Sequence, residues 1–199
     1  PQIPNQTLSV CSGNAFNLSL SNNPPSIILP SGTTYTWTVT APAGITGASN
    51  QNTPISNIGQ TLLNSTSNPI NVVYNITATS GSGSSACTNN FTLTVTVNPS
   101  PAVNFSPTNQ TICSGETSAL VTLSSATPGA TFSWTAVQPA GITGVITSGT
   151  NTIPAQNLVN STNAPITIIY VAVAATTGGN TCAGGTYNYT ITVNPKPSI

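Results

Sequence analysis

Charge is nearly missing from this sequence. Glu116 and Lys196 are its only charged side chains, and it has no aspartate, arginine, histidine or methionine. Globular chains ordinarily carry about a quarter charged residues, so the shortage removes whole classes of function. A nucleic-acid partner needs a field of lysine and arginine to displace counterions, which one lysine cannot supply. Attraction to an anionic membrane surface fails on the same ground. The longest uninterrupted apolar run, Ile168 to Ala175, is eight residues, well short of the ~18 that mark a bilayer-spanning helix, so no membrane insertion is expected.

Catalysis lacks its usual groups as well. With one carboxylate there is no acid–base pair of the glycosidase kind. The many serines and threonines have no histidine or aspartate to activate them. Glu116 is expected to be a surface turn residue, and the chain is expected not to be an enzyme. Calcium calls for several carboxylates. Zinc ligands usually come in pairs two to four residues apart, whereas the four cysteines are separated by 76, 26 and 69 residues. No metal or cofactor is expected beyond covalent glycans.

Serine, threonine and asparagine instead fill 83 of the 199 positions. Apolar residues still make up 37%, and their ordering into alternating runs argues against disorder. Phe91, Leu93, Val95 and Val97 alternate with Thr92, Thr94 and Thr96. Tyr187, Tyr189, Ile191 and Val193 repeat that phase. Period-2 alternation over seven residues marks a half-buried strand. Tyr35, Trp37 and Val39 form a similar inward row in residues 34–40, and 131–137 behaves likewise. Strong helix formers are scarce and strand formers abundant, so almost no helix is expected.

An internal repeat organises the chain. Cys11-Ser12-Gly13 recurs as Cys113-Ser114-Gly115, and Tyr35-Thr36-Trp37 as Phe132-Ser133-Trp134. Residues 42–47 (PAGITG) recur unchanged at 139–144. Leu63-Asn64-Ser65-Thr66, followed by Pro69-Ile70 and Tyr74, is matched by Val159-Asn160-Ser161-Thr162, Pro165-Ile166 and Tyr170. Val97-Asn98-Pro99 returns as Val193-Asn194-Pro195. The tryptophans lie 97 residues apart, and Pro99 and Pro195 lie 96 apart. Two modules follow, 1–101 and 102–199. Asn98-Pro99-Ser100-Pro101 serves as a stiff linker, because proline restricts itself and its predecessor.

This order of motifs resembles the PKD-like, immunoglobulin-related repeat of long surface proteins in Bacteroidota. The resemblance covers nearly the whole chain, twice. It implies an all-β fold of two tandem immunoglobulin-like β-sandwich modules. It also implies export, in that group often by the type IX route, and a place in adhesion or surface architecture. The expected function is a structural segment of an extracellular, cell-surface fibre or adhesin, partnered by neighbouring copies of the same repeat. An alternative is a carbohydrate-binding or spacer module of a secreted hydrolase. That alternative expects an exposed strip of aromatics, whereas Trp37, Trp134, Tyr74, Tyr170, Tyr187 and Tyr189 fall in phase with core positions.

Three sets of residues are candidates for further roles. Each module has an early and a late cysteine, so Cys11–Cys87 and Cys113–Cys182 bridges are expected among the three possible connectivities. Such bridges would place the chain in an oxidising compartment. Asn-x-Ser/Thr occurs at Asn5, Asn17, Asn64, Asn75, Asn90, Asn104, Asn109, Asn160 and Asn188, where composition alone gives about seven. Glycans there would supply the solubility that charge does not. Finally, Ile169, Val171 and Val173 form an apolar row where the first module has Asn71, Asn75 and Thr77 on its outward side, and such a row on an exposed face marks a candidate interface.

Overall fold

The computed structural model describes residues 1–177 and 181–196. The chain divides into two compact units, Pro1–Pro99 and Ser100–Ile199. No α-helix occurs among the described residues; one 3-10 turn, Gly83–Ser85, is present.

In the first unit the strands are β1 (Gln6–Cys11), β2 (Ala15–Leu18), β3 (Thr34–Val39), β4 (Ile45–Thr46), β5 (Gln51–Ile55), β6 (Ile58–Thr61), β7 (Leu63–Asn64), β8 (Ile70–Ser80) and β9 (Cys87–Asn98). The main sheet has the order β1-β9-β8-β3-β5, and β2-β6 and β4-β7 make two short ribbons. The second unit contains β10 (Asn104–Ser106), β11 (Gln110–Cys113), β12 (Val121–Ser124), β13 (Ala130–Ala136), β14 (Ile142–Thr143), β15 (Ser148–Thr150), β16 (Thr152–Ile153), β17 (Val159–Asn160), β18 (Ile166–Thr176) and β19 (Ala183–Asn194). Its main sheet, β11-β19-β18-β13-β15, reproduces the first, and β10-β12-β16 and β14-β17 complete the unit.

The alternating runs lie where their period places them. Phe91, Leu93, Val95 and Val97 are buried along β9, as are Tyr189, Ile191 and Val193 along β19. Trp37 and Trp134 sit at the centre of each core, edge-on to Tyr74 and Tyr170 at 6.4 and 5.6 Å between ring centroids. Each indole N–H donates to a backbone carbonyl, Ser49 in one unit and Thr152 in the other, so burial leaves no donor unpaired. The Tyr74 hydroxyl donates to Gln60 Oε1 at 2.9 Å, and Tyr170 to Gln156 Oε1 at 3.2 Å.

One pairing, which no local sequence pattern encodes, fixes the architecture. The first long strand runs parallel to the last: Gln6 through Cys11 pair with Leu93 through Asn98. In the second unit Gln110 through Cys113 pair in parallel with Ile191 through Asn194. The early cysteine therefore lies beside the residue at which the last strand ends. The late cysteine lies where that strand begins. Eleven residues separate Cys87 from Asn98, roughly 35 Å at a strand's rise per residue, and a disulfide needs Cα atoms within about 7 Å.

The expected Cys11–Cys87 and Cys113–Cys182 bridges are thus corrected. Cys87 and Cys113 are free thiols, while Cys11 and Cys182 are disulfide-bonded. The sequence orders the cysteines along the chain, but only the parallel pairing shows that the two of one module stand at opposite ends.

Candidate functional site

The motifs that define the repeat converge at the end of each unit where the last strand finishes, here called the exit end. Ser12 N–H donates to the Asn98 carbonyl at 2.8 Å, and Gly13 N–H to Leu62 at 2.8 Å. Asn64 N–H donates to Ser12 Oγ at 2.9 Å. The Asn64 amide nitrogen donates to the carbonyls of Asn68 and Val97, both at 2.8 Å. Its Oδ1 accepts from the backbone N–H and the hydroxyl of Thr66. Ser65 N–H donates to the Gly44 carbonyl, which brings in the PAGITG loop. The Asn64 side chain thereby ties Asn-Ser-Thr to the last strand, and Ser12 ties Cys-Ser-Gly to both.

The second unit repeats the knot bond for bond. Asn160 donates to Ala164 at 2.8 Å and Val193 at 2.9 Å and accepts twice from Thr162. Ser114 Oγ links to the Asn160 backbone, donating at 3.1 Å and accepting at 2.9 Å. The second glycine of each PAGITG loop needs the left-handed region, with φ of 91° at Gly47 and 90° at Gly144. A Cβ would also collide with the carbonyl of Thr61 or Asn157. Gly144→Ala is expected to cost at least about 2 kcal/mol, from the backbone penalty plus the collision. Thermal unfolding of the variant checks this.

These bonds correct two of the candidate glycosylation positions. Asn64 and Asn160 are buried, and each amide nitrogen is committed to two carbonyls. The amide nitrogen is the atom a glycan would take, so both positions are closed in the folded chain. Asn5, Asn17, Asn75, Asn90, Asn104, Asn109 and Asn188 are exposed. Peptide mapping of source-purified protein is expected to find Asn64 and Asn160 bare whatever the other seven carry.

The exit end of the second unit also gathers the chain's two charged side chains. Glu116 Oε2 accepts from Cys113 N–H at 2.8 Å, closing the turn. A Cβ on Gly115 would lie 3.5 Å from the Lys196 ammonium nitrogen. Cys113 itself is exposed. At the opposite, entry end, Ile3 N–H donates to Asn89 Oδ1 at 2.9 Å, close to Cys87. In the second unit Gly184 packs against the Pro101 carbonyl, and Cys182 is held by Thr176 on the neighbouring strand. Both late cysteines thus mark the end at which the chain enters its unit.

Two surfaces remain. A shallow trough of about 520 Å³ runs over the outer face of the first main sheet, lined by Asn5, Thr36, Thr38, Gln51, Asn52, Asn75, Thr77, Asn90 and Thr92. It offers hydrogen bonds but neither charge nor an exposed ring. On the second unit Ile169 and Val173 are exposed and Val171 half-buried. The tryptophans and Tyr35, Tyr74, Tyr170 and Tyr189 are buried, and Tyr187 is half-buried. Among the described residues no group of three histidine, cysteine or acidic side chains gathers to hold a metal, and no helix is long and apolar enough to cross a membrane.

Residues 8–101 and 110–197 each match the PKD-like domain family. Among solved structures the chain is similar to the N-terminal four immunoglobulin domains of Dscam1, at 11% identity over 96% of this chain and 44% of that one, with a TM-score of 0.31. It is similar to a SusE-like, surface-located polysaccharide-binding protein from the heparin utilisation locus of Bacteroides thetaiotaomicron, at 9% identity over 96% and 32% and a TM-score of 0.38. It is also similar to an I-band fragment of titin, at 11% identity over 96% and 62% and a TM-score of 0.34. The chain spans less than two thirds of the length of each of these three. No curated protein matches it.

Proposed function

Because the chain belongs to the PKD-like domain family and carries that domain twice, we propose that it is a load-bearing structural segment of an extracellular surface fibre or adhesin, without catalysis. The observation that carries this reading is the parallel pairing of an early strand with the last one in both units, β1 with β9 and β11 with β19. Tension along the chain pulls β1 toward the entry end and β9 toward the exit end. The hydrogen bonds between them are then loaded together, in shear, rather than broken one after another. The asparagine knot anchors the strand end through which tension leaves each unit. Neighbouring copies of the repeat, cell-surface placement and a Bacteroidota source belong to the same proposal, with 1–101 and 102–199 as its repeating units.

The near absence of charge supports an inert role. The single carboxylate side chain is occupied in the turn at Cys113, and the aromatics that a sugar platform would need are packed inward. Glycans on the seven exposed asparagines would give the neutral surface its hydration. The test is immunogold labelling of intact source cells with antibody against the chain. Label on external filaments or the cell surface is expected; label only after lysis rejects the reading. Retardation of the isolated chain in polysaccharide-containing gels would instead favour the carbohydrate-binding alternative.

A further inference from the structure

We infer that Cys113 and Cys87 are complementary coupling sites, each forming a disulfide with the opposite type of cysteine on a further PKD-like module. Cys113 would take a late cysteine at an entry end, and Cys87 an early cysteine at an exit end. The inference rests on the reading that such modules work in line.

The internal repeat supplies the comparison. Cys11 and Cys113 occupy one position, since Asn98 and Asn194 face them on the paired last strand. Cys87 and Cys182 occupy another. Cys87 pairs with Ser80, and Cys182 bonds to Thr176, which is the residue that matches Ser80 at the 96-residue period. One early and one late cysteine are disulfide-bonded, and their counterparts are free. Exposure follows the same division. Cys11 is half-buried and Cys182 fully buried, whereas Cys113 and Cys87 are exposed. Both position types therefore form disulfides, and the copies that do not are open to solvent.

Geometry selects the partner. A bridge within one module is excluded by the length of the last strand. A following module joined end to end lies eight residues on, from Asn194 to the next Ile3, which keeps its entry end, with its late cysteine, within a reach of about 29 Å of the exit end before it. Tethering at that range gives millimolar effective concentration. The knot around Ser114 and the bond from Cys113 N–H to Glu116 hold the early cysteine in place. The chemistry is thiol–disulfide exchange with a small disulfide as oxidant. One cysteine thiolate attacks the oxidant, expelling one thiol and leaving a mixed disulfide; the second cysteine attacks that sulfur and expels the other. Two cysteine thiols and one oxidant disulfide become one protein disulfide and two small thiols.

The test uses two copies of the full chain fused end to end and equilibrated with oxidised and reduced glutathione. Iodoacetamide then labels free thiols, and peptides are mapped without reduction. In the single chain Cys87 and Cys113 are both expected to be labelled. In the fusion, Cys113 of the first copy and Cys87 of the second are expected in one linked peptide, their labelling lowered about tenfold or more by the tether. The outer Cys87 and Cys113 keep full labelling. Cys113→Ser in the first copy is expected to restore labelling of the junction Cys87, which shows that loss of reactivity comes from the bond rather than from burial. Junction cysteines labelled as fully as the outer ones, capped only by glutathione, or bridged elsewhere would overturn the inference. None of those results bears on the load-bearing reading, which stands or falls on surface labelling and on pulling.

Discussion

Asn160→Ala is expected to lower the melting temperature of the second module by roughly 15–30 °C, a loss of about 3–5 kcal/mol. The substitution removes two donated and two accepted hydrogen bonds. It leaves the Thr162 N–H without its partner and takes a donor from the Ala164 and Val193 carbonyls, the latter still held by its strand pairing with Ile166, and the four bonds are worth about 0.5–1.5 kcal/mol each. A domain of this size has only about 5–15 kcal/mol in total, so the loss is a large fraction of it. Asn64→Ala is expected to do the same in the first module. Asn160→Asp should be no better than alanine, because it keeps the acceptor, loses both donors and buries a charge. Asn75→Ala, on an exposed strand position, should stay within about 0.5 kcal/mol. Calorimetry checks the series. Equal, small effects at Asn75 and Asn160 would mean that the knot is not what holds the exit end.

Unfolding is expected to respond to alkali and hardly at all to acid. The slope of stability with pH equals the difference in bound protons between unfolded and folded chains. With one carboxylate side chain and no histidine, few protons can be taken up on acidification, and the fold should persist to about pH 2. Alkali acts on the buried tyrosines. Burial pushes the Tyr74 hydroxyl up to about 12 from its ordinary 10.0, and raises Tyr35, Tyr170 and Tyr189 as well. A phenol whose folded pKa is raised is stabilised in its neutral form. Its contribution is intact below pH 10 and is lost as pH climbs toward 12. Two units amount to roughly 3 kcal/mol for Tyr74 alone. Circular dichroism and tyrosinate absorbance should therefore change together above pH 10. A cooperative acid transition, or tyrosinate formed near pH 10 at Tyr35, Tyr74, Tyr170 or Tyr189 in a folded chain, would contradict this.

Much of the fold is legible in the residues, because strand periodicity is a local property. The alternation in 91–97 and 187–193 reads directly as the buried face of β9 and β19, and it places Trp37 and Trp134 in the core. The repeated motifs announce that something recurs, but their meaning depends on contacts between distant segments. Asn64 lies in a glycosylation sequon by sequence, and only its distance to Val97 shows an amide already taken. The cysteine pairing is hidden from the sequence for the same reason. Order along the chain suggested a bridge within each module, and the parallel β1·β9 register, which no local pattern encodes, sends the two cysteines to opposite ends. The recurrence of Asn-Ser-Thr at matched positions was the available clue that the asparagine is structural.

The central claim, that each module resists tension by shear between its last strand and the early strand parallel to it, β1 with β9 and β11 with β19, is tested most directly by single-molecule pulling from the two ends of the chain. Two cooperative events are expected, each releasing on the order of 300 Å of chain at about 3.6 Å per residue. The second module should yield first, since its parallel clamp pairs four residues against six in the first. Moving the handles to Asn14 and Ser100, on either side of the first module's exit end, would peel β9 away bond by bond and should lower the force markedly. Low, gradual extension from the chain ends, or the same force in both geometries, would contradict a load-bearing role.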